Sequence, residues 1–209
     1  NNPTLTSKGK ITRRHSKMIN SLIFRSGAMI SRFVFLLLAA KFLNSAEVAA
    51  YGTVYALILL LIFLYPLDLY IQTSRCIRED RLLLNKLLSN QILVTVTIFL
   101  IVTPFVILWL KVGNFLPMSL FGLLVLTELG CQEIYRLLIA YGSYKSANFI
   151  FLLKNGGWTA VCSLGMSLQK VTSFIEVSQI WLISAMTALV YGSLTLRKHL
   201  TGFKFIPDL

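Results

Sequence analysis

Two arginines, Arg25 and Arg32, interrupt an otherwise apolar stretch near the start of the chain. They stand seven residues apart. On a helix turning 100° per residue they fall within about 20° of one face, stacked about 10 Å apart along the axis. A guanidinium stays protonated and presents a planar fork that matches phosphate or carboxylate, so a cavity lined by this stripe favours an anionic head group. The alternative is that each arginine is neutralised within the protein, Arg32 by Glu128 or Asp68, while Arg25 reaches back to the polar head groups. The residues alone leave both arrangements open.

The acids that could answer these cations are few. Glu133 and Arg136 form an i, i+3 pair able to neutralise each other, and Glu128, Gln132 and Tyr135 follow i, i+4, i+7 along one helix face. Glu128 has no basic neighbour on its own helix, so it is either half of an interhelical ion pair or a carboxylate that couples transport to a proton or cation. Asp68 and Arg75 have the spacing of a local clamp. Lys154 is expected to snorkel, Trp109, Trp158 and Trp181 to anchor at interfaces or pack, and Gly156-Gly157 to let helices approach closely. Cys76, Cys131 and Cys162 are scattered and His15 and His199 lie near opposite ends, so no metal site, disulfide framework or cofactor is expected. No phosphate-binding glycine loop, nucleophile elbow or HExxH occurs, which disfavours an enzyme.

The elements that must carry these residues follow from composition. Of 209 residues 56% are hydrophobic and only 13% charged, with a mean hydropathy of +0.74, which excludes a soluble globule. Six apolar stretches, near residues 19–43, 48–71, 87–110, 117–140, 148–168 and 177–196, are each long enough for a membrane-spanning helix. Length and internal arginines argue against a cleavable signal peptide in the first. Pro66 and Pro104 are expected to bend the second and third. The expected fold is all-α, a six-span helical bundle. It consists of a basic N-terminal segment at 1–18, a membrane domain at 19–196 and a tail or linker at 197–209.

The net charge of +12 would suggest nucleic acid in a soluble chain. Here thirteen of the twenty basic residues fall in the N-terminal segment, the loops after the second and fourth spans, and the tail, whereas the alternate connections hold only Lys41, Lys111 and Lys170. The positive-inside rule therefore puts both termini in the cytoplasm and accounts for the charge without nucleic acid. The start at Asn1-Asn2-Pro3 and the close at Pro207-Asp208-Leu209 suggest a piece of a longer chain.

Several stretches resemble the bacterial Wzx-type polysaccharide flippases of the multidrug/oligosaccharidyl-lipid/polysaccharide exporter superfamily. They are the basic stretch leading into a helix with Arg25 and Arg32, Ala46-Glu47-Val48-Ala49-Ala50-Tyr51-Gly52, and Pro66-Leu67-Asp68-Leu69-Tyr70-Ile71-Gln72. Gln132-Glu133-Ile134-Tyr135-Arg136 and Lys154-Asn155-Gly156-Gly157-Trp158 complete the set. The likeness runs along nearly the whole chain, although Lys154 stands where arginine is more usual and six spans are about half the family's number. The resemblance implies the N-terminal lobe of an alternating-access transporter in the bacterial inner membrane. It would move a polyprenyl-pyrophosphate-linked oligosaccharide for surface polysaccharide such as O-antigen. Its partners would be that glycan lipid, membrane lipids, and a second transporter half or another copy. The superfamily's drug/cation antiporters tend to carry an acid on the first helix, where this chain has arginines. Another class of reading is a membrane enzyme or assembly subunit that handles polyprenyl-phosphate sugars.

Overall fold

The structure, a computed structural model, describes residues 4–65, 71, 73, 81–109, 112–114 and 116–200. Every regular element among them is helical: α1 (Thr4–Phe42), α2 (Ser45–Leu64), α3 (Arg81–Trp109), α4 (Met118–Ala140), α5 (Tyr144–Leu152), α6 (Trp158–Ser167) and α7 (Phe174–Arg197). Four helical segments are long and apolar enough to cross a bilayer, Ser21–Phe42, Ser45–Leu64, Leu83–Trp109 and Phe174–Arg197. They make the chain a multi-pass membrane protein. The basic N-terminal segment is not separate from the first span. α1 is 39 residues long, about 58 Å, nearly twice the thickness of a hydrocarbon core, so its charged beginning extends the helix beyond the apolar part. Pro66 and its expected bend, Asp68, the expected Asp68–Arg75 clamp, Cys76 and the tail from 201 onward lie outside the described residues.

Local chemistry sets the helix ends. Asn44 accepts the Glu47 amide at 2.8 Å while the Glu47 carboxylate accepts the Asn44 amide, a capping box that starts α2 three residues before the expected apolar run. Ser173 and Glu176 build the same box at the start of α7. The second Glu47 oxygen accepts the Phe174 amide at 3.2 Å, tying the two helix starts together. α4 stops at Gly142, whose φ of +76° suits glycine, with the Ser143 amide returning to the Leu138 carbonyl. α3 runs through Pro104 without ending.

α4 lies along α7, and α1 crosses the rod formed by α5 and α6. Phe35, Tyr51, Phe121, Trp158 and Trp181 fill the space between them. Trp158 and Trp181 stack with ring centroids 5.0 Å apart and planes 16° from parallel, and Phe35 meets Trp158 edge-on at 5.0 Å. Both tryptophans are therefore packing residues, whereas Trp109 is exposed at the end of α3. α3 sits at the side of the bundle. A Tyr65–Thr103 hydroxyl contact of 2.7 Å and a hydrogen bond from Gln91 to Glu133 tie it to its neighbours.

α5 and α6 are joined through a π-helical turn, Leu153–Gly157. It is wider than an α-helical turn, exposes backbone carbonyls, and needs neighbours that fill in. Gly156 and Gly157 supply the room. A Cβ on Gly156 would stand 2.9 Å from the Ala28 Cα, and one on Gly157 3.1 Å from Ser184 Oγ. Hydroxyls from the flanking helices meet the carbonyls: Ser184 donates to Leu153 O at 2.8 Å, and Ser31 and Thr159 converge on Gly156 O at 3.0 and 2.9 Å.

Candidate functional site

Apart from the Glu133–Arg136 pair, two neighbouring places within the bundle hold charged side chains among the described residues. The first is an open groove of about 570 Å³ between α1 and the α5 rod, lined by Arg25, Met29, Arg32, Phe33, Phe151 and Asn155 among others. Both arginines face it, as their seven-residue spacing requires. The Arg25 guanidinium donates to Tyr135 Oη at 3.1 Å and lies 5.8 Å from the centroid of the Phe151 ring. Arg32 lies over Tyr55 at 4.6 Å, at the edge of the aromatic stack, which holds its plane without removing its charge. Its Nε is buried without a hydrogen-bond partner. Among the described residues neither arginine has a carboxylate in salt-bridge reach.

The second place is buried. Glu128, only 3% exposed, accepts the Trp181 indole N–H on one oxygen at 2.6 Å and meets Lys154 Nζ on the other at 2.9 Å. Lys154 Nζ also donates to Gln132 Oε1 at 3.2 Å. Buried charge is tolerated on these terms, paired and with its remaining capacity taken by further hydrogen bonds.

Two expectations are corrected here. Glu128 is paired with Lys154, not with Arg32, because the cation that reaches it comes from the π turn and α1 presents Arg32 to Tyr55. Lys154 does not snorkel either. α5 begins at Tyr144, four residues before the expected start, so Lys154 sits about 15 Å into the rod, and the π turn directs it inward at 8% exposure. Glu133 and Arg136 do pair with each other, at 2.8 Å, and Glu133 also accepts from Gln91.

The face of α4 read from its spacing joins the two places. Glu128 and Gln132 hold Lys154, and Tyr135, one turn further on, holds Arg25. On the rod, Lys154 enters the buried cluster while the next residue, Asn155, lines the groove. The donor Trp181 and the inward turn of Lys154 were not anticipated from sequence. The available signal was Lys154-Asn155-Gly156-Gly157, a cation followed by two glycines inside an apolar run, which marks a place where the helix is irregular and tightly packed. No cluster of His, Cys, Asp or Glu able to hold a metal ion occurs among the described residues, and Cys131 and Cys162 are buried free thiols.

The arrangement can attract an anion into a laterally open groove through two fixed guanidiniums, beside a neutralised acid–base pair. Comparison with protein families, with curated proteins and with solved structures finds no match for the chain.

Proposed function

We propose that this chain is one lobe of a membrane transporter. It would flip a lipid-linked, polyprenyl-pyrophosphate oligosaccharide across the bacterial cytoplasmic membrane, with Arg25 and Arg32 receiving the pyrophosphate. The observation that carries the reading is the groove itself, where two guanidiniums at membrane depth share one open wall and lack a carboxylate partner among the described residues. A charge at the helix centre costs roughly 2.5–3.5 kcal/mol or more against lipid, so such a face calls for a ligand or a second protein surface. A bidentate fork suits a pyrophosphate better than a cationic drug. The groove lies on one wall only, which fits a cavity closed by a second transporter half or another copy.

In this reading all six apolar stretches cross the membrane and both ends are cytoplasmic. α4 is 23 residues long and qualifies by length. Its polar side chains are satisfied against other helices, which lets it be less apolar than its neighbours. Single cysteines at Lys10, Asn85, Asn114 and Gln169 should react with an impermeant reagent added outside cells only at the last two. Labelling at position 85 in intact cells would overturn the orientation.

The direct test is export. In the complete protein, Arg32→Ala should abolish surface glycan export while the protein stays at its normal level in the membrane. Arg32→Lys should rescue only part, because a point charge cannot reproduce the fork. Normal export by Arg32→Ala would refute the role of the groove.

A further inference from the structure

On the far side of α4 from the arginine groove, α3 stands away from α4 and the end of α7 and leaves a slot of about 310 Å³. Along α4 its wall runs from Leu126 to Leu137, about 16 Å parallel to the bundle axis. A volume of that size spread over that length makes an elongated slot with room for a hydrocarbon chain. The walls are almost wholly carbon, supplied by Leu88, Ile92, Leu129 and Ile134 among others. An apolar slot in a close-packed protein is filled by apolar ligand atoms when these can reach it. Ile92, Val96 and Leu126 on its lip are each almost half exposed, so the slot opens sideways on the lipid-facing surface of a multi-pass membrane protein.

The end of the slot is polar in a defined sense. Leu196 and Leu200 close it where α7 terminates, and exposed Arg197 and Lys198 stand between them in sequence. The acid on the wall, Glu133, is engaged by Arg136 at 2.8 Å and by Gln91, so it does not oppose an anion at the mouth. An apolar channel along the bundle axis, closed at one end by a helix terminus that carries exposed Arg197 and Lys198, suits a phospholipid in shape and charge.

We propose that this slot holds one acyl chain of an anionic bilayer phospholipid, with the phosphate beside Arg197 and Lys198. The lipid completes the packing of α3 against α4 and α7. This inference stands apart from the transport reading, since it uses neither Arg25 nor Arg32 and requires no second lobe.

The test is native mass spectrometry of the full chain in mild detergent, titrated with phosphatidylglycerol or phosphatidylcholine. Phosphatidylglycerol should bind more tightly than phosphatidylcholine, and Arg197→Gln with Lys198→Gln should remove the preference. Val96→Trp, which fills the slot from its lip, should weaken phosphatidylglycerol at least about tenfold, the equivalent of roughly two methylenes excluded. Leu100→Trp, the same addition on an exposed part of α3 outside the slot, should leave binding unchanged. Ile92→Phe offers a smaller filling at the same place should Val96→Trp fail to fold. Equal binding of the two lipids, undiminished binding by the folded slot-filling variant, or displacement of phosphatidylglycerol by an equal concentration of polyprenyl phosphate would each overturn the proposal, the last in favour of an isoprenoid tail.

Discussion

The arginine groove and the Glu128–Lys154 cluster are neighbours on the same face of α4, yet they treat charge in opposite ways. In the cluster an acid and a base meet at 2.9 Å, both nearly excluded from solvent, with Trp181 and Gln132 taking the remaining hydrogen-bonding capacity. In the groove two cations hold aromatic rings and a phenol, and no described carboxylate neutralises them. A charge balanced inside the fold is a structural part whose removal is felt as lost stability. A charge left to an open wall adds little to stability and is available to a ligand. The comparison shows that a charged side chain among apolar helices is not by itself available to a ligand; the partner decides.

The largest expected effect tests the balanced side. Lys154→Ala or Glu128→Ala leaves its partner charged and buried, and should cost about 3–5 kcal/mol. Glu128→Gln combined with Lys154→Met should recover much of that loss. A double-mutant cycle on thermal or denaturant unfolding in detergent reads the coupling directly. The same cycle on Arg32 and Glu128 should give a clearly smaller coupling, and a reversal of that order would erase the distinction between the two places.

A smaller effect probes the turn that aims Lys154. Gly156→Val drives a side chain into the Ala28 backbone, where even a Cβ would stand at 2.9 Å. We expect a loss of about 1–3 kcal/mol from overpacking. Gly52→Ala, at a helical glycine with open space around it, serves as the control and should be neutral or slightly stabilising. Equal behaviour of the two would mean that the close approach of α1 to the π turn is not maintained.

The smallest effect belongs to the open side. Arg25→Gln keeps a donor within reach of Tyr135 and removes a charge from an exposed position. Its unfolding free energy should stay within about 0.5 kcal/mol of the parent. A loss comparable to that of Lys154→Ala would make Arg25 a structural cation and undo the comparison.

The periodic features were legible before any coordinates. The seven-residue spacing of Arg25 and Arg32 places them on one wall, and the spacing of Glu128, Gln132 and Tyr135 sets a face that carries both sites. The Glu133–Arg136 pair was readable in the same way, because contacts within a turn or two depend only on the helical repeat, and the close packing at Gly156-Gly157 was readable from residue size alone, without the identity of the neighbouring helix. Of the six apolar stretches, four stand out as helices long and apolar enough to cross a membrane, while α4 and the π turn of the α5–α6 rod carry charged side chains inward.

By itself, then, the sequence determined the all-helical membrane class, the order of the helices and the faces on which the charged residues lie, since composition and a fixed period suffice for these. Only the tertiary structure decided which cation meets Glu128. That choice depends on the rotation of one helix against another and on the π turn, where a widened repeat shifts the phase of every residue that follows. Lys154 therefore turned inward although its place in an apolar run suggested a residue reaching for the head groups, and Trp181, 53 positions from Glu128, became its second partner. Nothing in a single helix's pattern encodes the angle or register at which another helix packs against it, because those are set by side-chain volumes from all of the helices at once.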